Sequence, residues 1–87
     1  MGEVYLPLFK KFFHEELLKS RSELHLTQAK MASRLEMDTR SYVEQDHGKS
    51  TCSALTLILF LLYCCSDPEE FLEKLRKLFE EAWKEAA

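Results

Sequence analysis

The segment from Leu26 to Gly48, LTQAKMASRLEMDTRSYVEQDHG, constrains the chain more tightly than any other. Thr27 is a good N-cap, and Gln28 to Leu35 follows it as a short helix whose inner face is Met31, Ala32 and Leu35. Asp38 is a second N-cap only a few residues on. It opens a helix of about two turns, Thr39 to Asp46, that ends before His47-Gly48. Two short helices joined through so tight a turn must cross steeply, and a small protein built this way holds one helix out from its body. A helix so held is available for a DNA groove, so DNA binding is the first expectation.

The rest of the chain reads as helical. A sequence of 87 residues, 46% apolar and with two Gly and two Pro, suits one compact helical body and has no alternating run of strand length. The first helix is expected to start near Pro7, after an arm Val4-Tyr5-Leu6, with Leu8, Phe9, Phe12, Phe13, Leu17 and Leu18 as its apolar stripe. Cys52–Tyr63 is expected as a fourth helix. Ala54–Cys65 is strongly apolar but well short of the ~20 residues that span a bilayer, so it reads as a buried core helix. The last helix has the clearest start, with Asp67 as cap, Pro68 at the first position and Glu70 at the third. Its apolar face is Phe71, Leu72, Leu75, Leu78, Phe79, Ala82 and Trp83. Glu70–Lys74, Glu73–Lys77 and Glu80–Lys84 fall at i,i+4 on the exposed side.

Charge is distributed unevenly. The net charge is −3, but residues 1–66 hold eight Lys/Arg against eight Asp/Glu, and the whole acidic excess lies in 67–87. A neutral body can still set local cations on phosphates, with a weak non-specific term. Three cysteines and no basic-then-apolar leader suit a reduced, cytoplasmic setting. No metal site, cofactor or small-molecule ligand is expected. His14, His25 and His47 share no face with a cysteine, Cys64 and Cys65 cannot both turn to one metal from one helix, and two glycines make no phosphate loop. The paired carboxylates Glu15-Glu16, Glu69-Glu70 and Glu80-Glu81 fall on solvated faces. An enzyme is not expected.

Arg21, Leu24, Leu26, Thr27-Gln28, Met31-Ala32, Leu35, Met37, Tyr42, Asp46 and Gly48-Lys49 together resemble the helix-turn-helix pattern of the Cro/CI-type phage repressors, the XRE family of transcriptional regulators. The likeness runs without a gap from Arg21 to Ser50 and extends in plan to about residue 65. It implies an all-α, five-helix, lambda-repressor-like DNA-binding domain over 1–66, with its motif at 27–48, and an amphipathic C-terminal helix over 67–87. It implies a bacterial or phage-encoded regulator that binds double-stranded DNA as a homodimer. By the same resemblance Thr39, Arg40 and Glu44 would read base edges, Arg40 on guanine and Glu44 on a cytosine amine. Gln28, Lys49 and Ser50 would hold phosphates. Arg21 and Asp46 would form a structural ion pair that orients the reading helix, and Leu78, Phe79, Ala82 and Trp83 would pair two subunits. The chain departs from the pattern at three positions. Glu36 stands where glycine usually serves a left-handed turn, Gln45 where the core usually takes an apolar residue, and Glu44 puts an acid on the DNA side. The alternative is a helix-turn-helix module that binds another regulator, with Glu36, Glu44 and the acidic last helix as its partner face.

Overall fold

The computed structural model describes residues 2–48 and 52–86, and these form five helices and no strand. They are α1 (Gly2–Leu24), α2 (Gln28–Arg34), α3 (Thr39–Asp46), α4 (Ala54–Tyr63) and α5 (Pro68–Ala86). The expected arm does not exist: Val4, Tyr5 and Leu6 are already helical, and Pro7 lies inside α1. A proline so near the start removes a single backbone hydrogen bond, so the helix runs through it. The 23 residues of α1 reach about 35 Å at 1.5 Å per residue, most of the molecule's 42 Å longest dimension.

Every later helix opens on a side-chain cap. Thr27 Oγ1 accepts from the Lys30 N–H at 3.2 Å, Asp38 Oδ1 from Ser41 N–H at 2.8 Å, and Asp67 Oδ1 from Glu70 N–H at 3.0 Å. Ser53 does the same for α4 through the Thr56 N–H at 3.2 Å. The fourth helix therefore starts at Ala54, two residues later than Cys52, because a serine that faces its own helix end fixes the boundary.

Helix ends are equally specific. His25 (φ 56°), Glu36 (φ 52°) and Gly48 (φ 74°) are all left-handed. After α1 the Leu26 N–H reaches Arg21 O and His25 N–H reaches Ser22 O. After α2 the Met37 N–H reaches Ala32 O and Glu36 N–H reaches Ser33 O. Both are Schellman closures, which satisfy carbonyls the helix would otherwise leave open. Gly48 has a second constraint, since a Cβ there would stand 3.3 Å from the His14 ring.

One continuous core joins all five helices. Phe13 and Leu17 come from α1, Met31, Ala32 and Leu35 from α2 and its cap, Tyr42 from α3, Phe60 and Cys64 from α4 and its cap, and Phe71 from α5. Phe60 is the hub, with ring centroids 5.2 Å from Phe13 and 5.5 Å from Phe71, while Phe12 lies 5.0 Å from Phe71. Leu18 is exposed at the margin of the α1 stripe. α4 differs from the buried core helix expected of it. Only Thr56 and Phe60 are buried within it, and Leu55, Ile58, Leu62 and Tyr63 face solvent. A segment without a charge, whose Thr56 lies on the buried side, has no polar side from which its orientation could be read. No helix among the described residues is long and apolar enough to cross a membrane.

On α5 the pairing also differs from the expected pattern. Glu70–Lys74 forms at 3.0 Å, but Arg76 takes both other carboxylates, Glu73 on one side and Glu80 at 3.1 Å on the other. A guanidinium fork holds two acids where a lysine holds one.

Candidate nucleic-acid interface

α2 and α3 are joined by only Leu35-Glu36-Met37-Asp38, and the turn is made by the left-handed Glu36. The pair is locked from within by Asp46, a carboxylate only 2% exposed. Arg21 from α1 reaches it with Nη2 at 3.2 Å and Nε at 3.4 Å, Gln28 from α2 donates Nε2 at 3.0 Å, and Tyr42 donates its hydroxyl at 2.9 Å. Burial alone would raise the Asp46 pKa. The Gln28 and Tyr42 hydrogen bonds and the Arg21 charge outweigh it and hold the carboxyl below its ordinary range. Burial, followed by the Asp46 charge and hydrogen bond, drives the Tyr42 hydroxyl upward, so it stays a donor.

The ion pair expected between Arg21 and Asp46 is therefore present, at the centre of a four-residue network. Sequence reasoning missed Tyr42 and Gln28 as its members. The i,i+4 spacing of Tyr42 and Asp46 on α3 was the available signal. Gln28, expected on a phosphate, has one amide N–H committed to Asp46 and is half-buried. Its second amide hydrogen remains for an outside acceptor.

Tyr42, Gln45 and Asp46 are the buried side of α3. The opposite side carries Arg40, Val43, Glu44 and His47, with Thr39 at its edge. Thr39, Arg40 and Glu44 are all exposed, and neither Arg40 nor Glu44 has a hydrogen bond or ion pair to another described residue. Val43, half-exposed between Arg40 and Glu44, belongs to the same face and was not singled out from sequence. Gln45 docks inward despite its amide, and its Oε1 is buried without a partner among the described residues. Lys49 and Ser50, expected on phosphate, lie outside the described residues.

Lys30 and Arg34 are exposed on α2, and Arg34 Nη1 donates to the Tyr63 carbonyl at 3.2 Å, closing the end of α4. Exposed Glu36 and Asp38 lie in the turn itself.

The four residues expected to pair subunits are not one surface. Ala82 is buried within its own chain, and the Phe79 ring packs 4.9 Å from Tyr5 of α1. Leu78 is half-buried, and Trp83 alone is exposed. Tyr5, Phe79 and Trp83 border an open groove of about 330 Å³, rimmed by Arg76, Glu80 and Lys84.

No described cluster of His, Cys, Asp or Glu could hold a metal ion. The three thiols are free; burial pushes Cys52 up to about 11 and raises Cys64 and Cys65, which disfavours thiolate at neutral pH. No family model, no curated protein and no solved structure matches this chain.

Proposed function

We propose that the chain is a duplex-DNA-binding transcriptional regulator with a helix-turn-helix of the lambda-repressor type, acting as a homodimer. One observation carries the reading. The buried Asp46 network clamps α1, α2 and α3 together from one side, while the other side of α3 presents Arg40, Val43 and Glu44 with no partner for either charge among the described residues. A two-turn helix fixed on one side and open on the other is the arrangement a groove-reading helix needs. Arg40 suits guanine O6 and N7, Glu44 a cytosine amine, and the Val43 methyls a thymine methyl. Thr39 reaches the edge of the same groove. Phosphates would be held by Gln28 with its spare amide hydrogen, and by Lys49 and Ser50 beyond Gly48.

The runner-up is a module that binds another regulator through the same face. The acids Glu36, Asp38 and Glu44 around Arg40, on a chain of net charge −3, favour it. Titration onto a pool of random duplexes at low salt separates the two. Micromolar or tighter binding that Arg40→Ala weakens by about 1–3 kcal/mol supports DNA. Absence of binding at micromolar protein, or binding indifferent to Arg40→Ala, overturns it.

A further inference from the structure

α4 leaves its outer side uncovered. Leu55, Ile58 and Leu62 are 60%, 51% and 66% exposed, and their spacing puts all three on one stripe opposite the buried Thr56 and Phe60. Half-buried Leu59 and Leu61 flank it. We infer that this stripe is the surface on which two copies of the chain pair, with their α4 helices antiparallel across a two-fold axis. The inference rests on the homodimer half of the function proposed above and is independent of its DNA half.

Three observations select a second copy as the occupant. The first is charge: from Ala54 to Leu62 there is no ionisable side chain, so a two-fold axis through α4 opposes no like charges. The outer side of α5, by contrast, is crowded with Glu70, Glu73, Lys74, Arg76 and Glu80, already paired among themselves. The second is register. Leu55 and Leu62 are symmetric about the Ile58–Leu59 step, so antiparallel copies set Leu55 against Leu62 of the partner subunit and bring the two Ile58 side chains together near the axis. An isologous contact needs a surface complementary to itself in this sense. The third is area. Three aliphatic side chains at these exposures offer roughly 300 Å² per copy, as large as the apolar patch of a typical monomer. Over both copies, and with the exposed parts of the flanking leucines, the contact stays below the ~1,200 Å² of stable complexes and falls in the small, weak class of interface. Such an interface gives a dimer in the micromolar range, tightened when both copies sit on one duplex.

Sedimentation velocity on the full chain, without DNA and across micromolar concentrations, tests this. The wild type is expected to pass from monomer to dimer, and Ile58→Glu, which sets two carboxylates at the axis, to shift that transition at least about tenfold higher. An equimolar mixture of Ile58→Glu with Ile58→Lys is expected to regain the dimer, because the two positions meet. Leu62→Lys is a second variant at a more exposed position and is expected to behave as Ile58→Glu does. Circular dichroism melting checks that each variant folds. Trp83→Glu is expected to leave the dimer intact. A wild type monomeric throughout, folded Ile58 and Leu62 variants that still dimerise, a mixture that stays monomeric, or a dimer lost through Trp83→Glu would each overturn the proposal. A dimer that dissociates as expected but binds no duplex would overturn the DNA reading alone.

Discussion

Glu36 shows how a single residue can be wrong for its conformation and right for its place. Its φ of 52° is needed to close α2 and redirect the chain into α3, and both Schellman hydrogen bonds form around it. A side chain in that region costs about 1 kcal/mol relative to glycine. The residue is exposed and its side chain makes no hydrogen bond to another described residue, so Glu36→Gly is expected to raise stability by about 1 kcal/mol, read as a higher denaturant midpoint at unchanged slope. Asp46 gives the opposite case, a residue whose chemistry and position agree. Its folded pKa lies below the ordinary 3.8, so it contributes stability above that value and loses it as pH falls toward the folded one. Asp46→Asn is expected to cost about 2–3 kcal/mol at neutral pH, since hydrogen bonds to a charged group are forfeited. Acid titration of stability below pH 3.8 should be steeper in the wild type than in the variant. Equal slopes would mean that Asp46 is not the titrating group. Arg21–Asp46 was legible from the repressor-like spacing. The left-handed His25 was not, because histidine carries no turn signal of glycine's kind.

At the scale of the element, α3 is the test of what periodicity can and cannot say. Its bounds were readable from the Asp38 cap and the closing His47-Gly48, but its outward Arg40 and Glu44 only from the repressor resemblance, because its buried side is Tyr42, Gln45 and Asp46 and carries no apolar period. α4 was not readable from sequence: with nine apolar residues around Thr56 and no charge, nothing in its sequence distinguishes the inner side from the outer. Gln45, standing where the pattern's core takes an apolar residue, is 8% exposed and its Oε1 finds no partner among the described residues. An unsatisfied buried acceptor costs about 1–3 kcal/mol, and leucine fills a similar volume without it. Gln45→Leu is therefore expected to stabilise the protein by about 1–2 kcal/mol, seen as slower amide exchange along α3 as well as a higher midpoint. A loss of stability would show that the amide has a partner in solution, such as a bound water. The acid beside Arg40 has its own signature. Glu44→Gln is expected to strengthen binding to random duplexes at low salt while leaving stability unchanged within about 0.5 kcal/mol, as befits an exposed residue without a partner among the described residues.

For the molecule as a whole, the decisive fact is that α5 shares the core of the other four helices. From sequence, a sharp helix start and a change of charge coincide at Asp67, and 67–87 reads as an amphipathic helix that packs on the 1–66 domain. The packing joins it to that domain without a seam. Phe71 is 1% exposed and touches aromatic rings of both α1 and α4, and Leu75 packs against the same cluster. A chain of this size has about 5–10 kcal/mol of stability in all, and truncating a buried phenylalanine costs about 3–5 kcal/mol. Phe71→Ala should thus consume much of the total, even though it lies outside the helix-turn-helix. Were α5 an appendage, its loss would fray one helix and leave α1 to α4 folded, giving two transitions. A single core gives one: Trp83 fluorescence at the end of α5 and far-UV circular dichroism should fall together in the wild type, and fall together at a much lower midpoint in Phe71→Ala. Separate midpoints for the two probes would refute the shared core. Coincident ones would mean that α3 is held in place by the whole chain, with α5 acting on it through Phe71, Phe60, Phe13 and the α1 that carries Arg21.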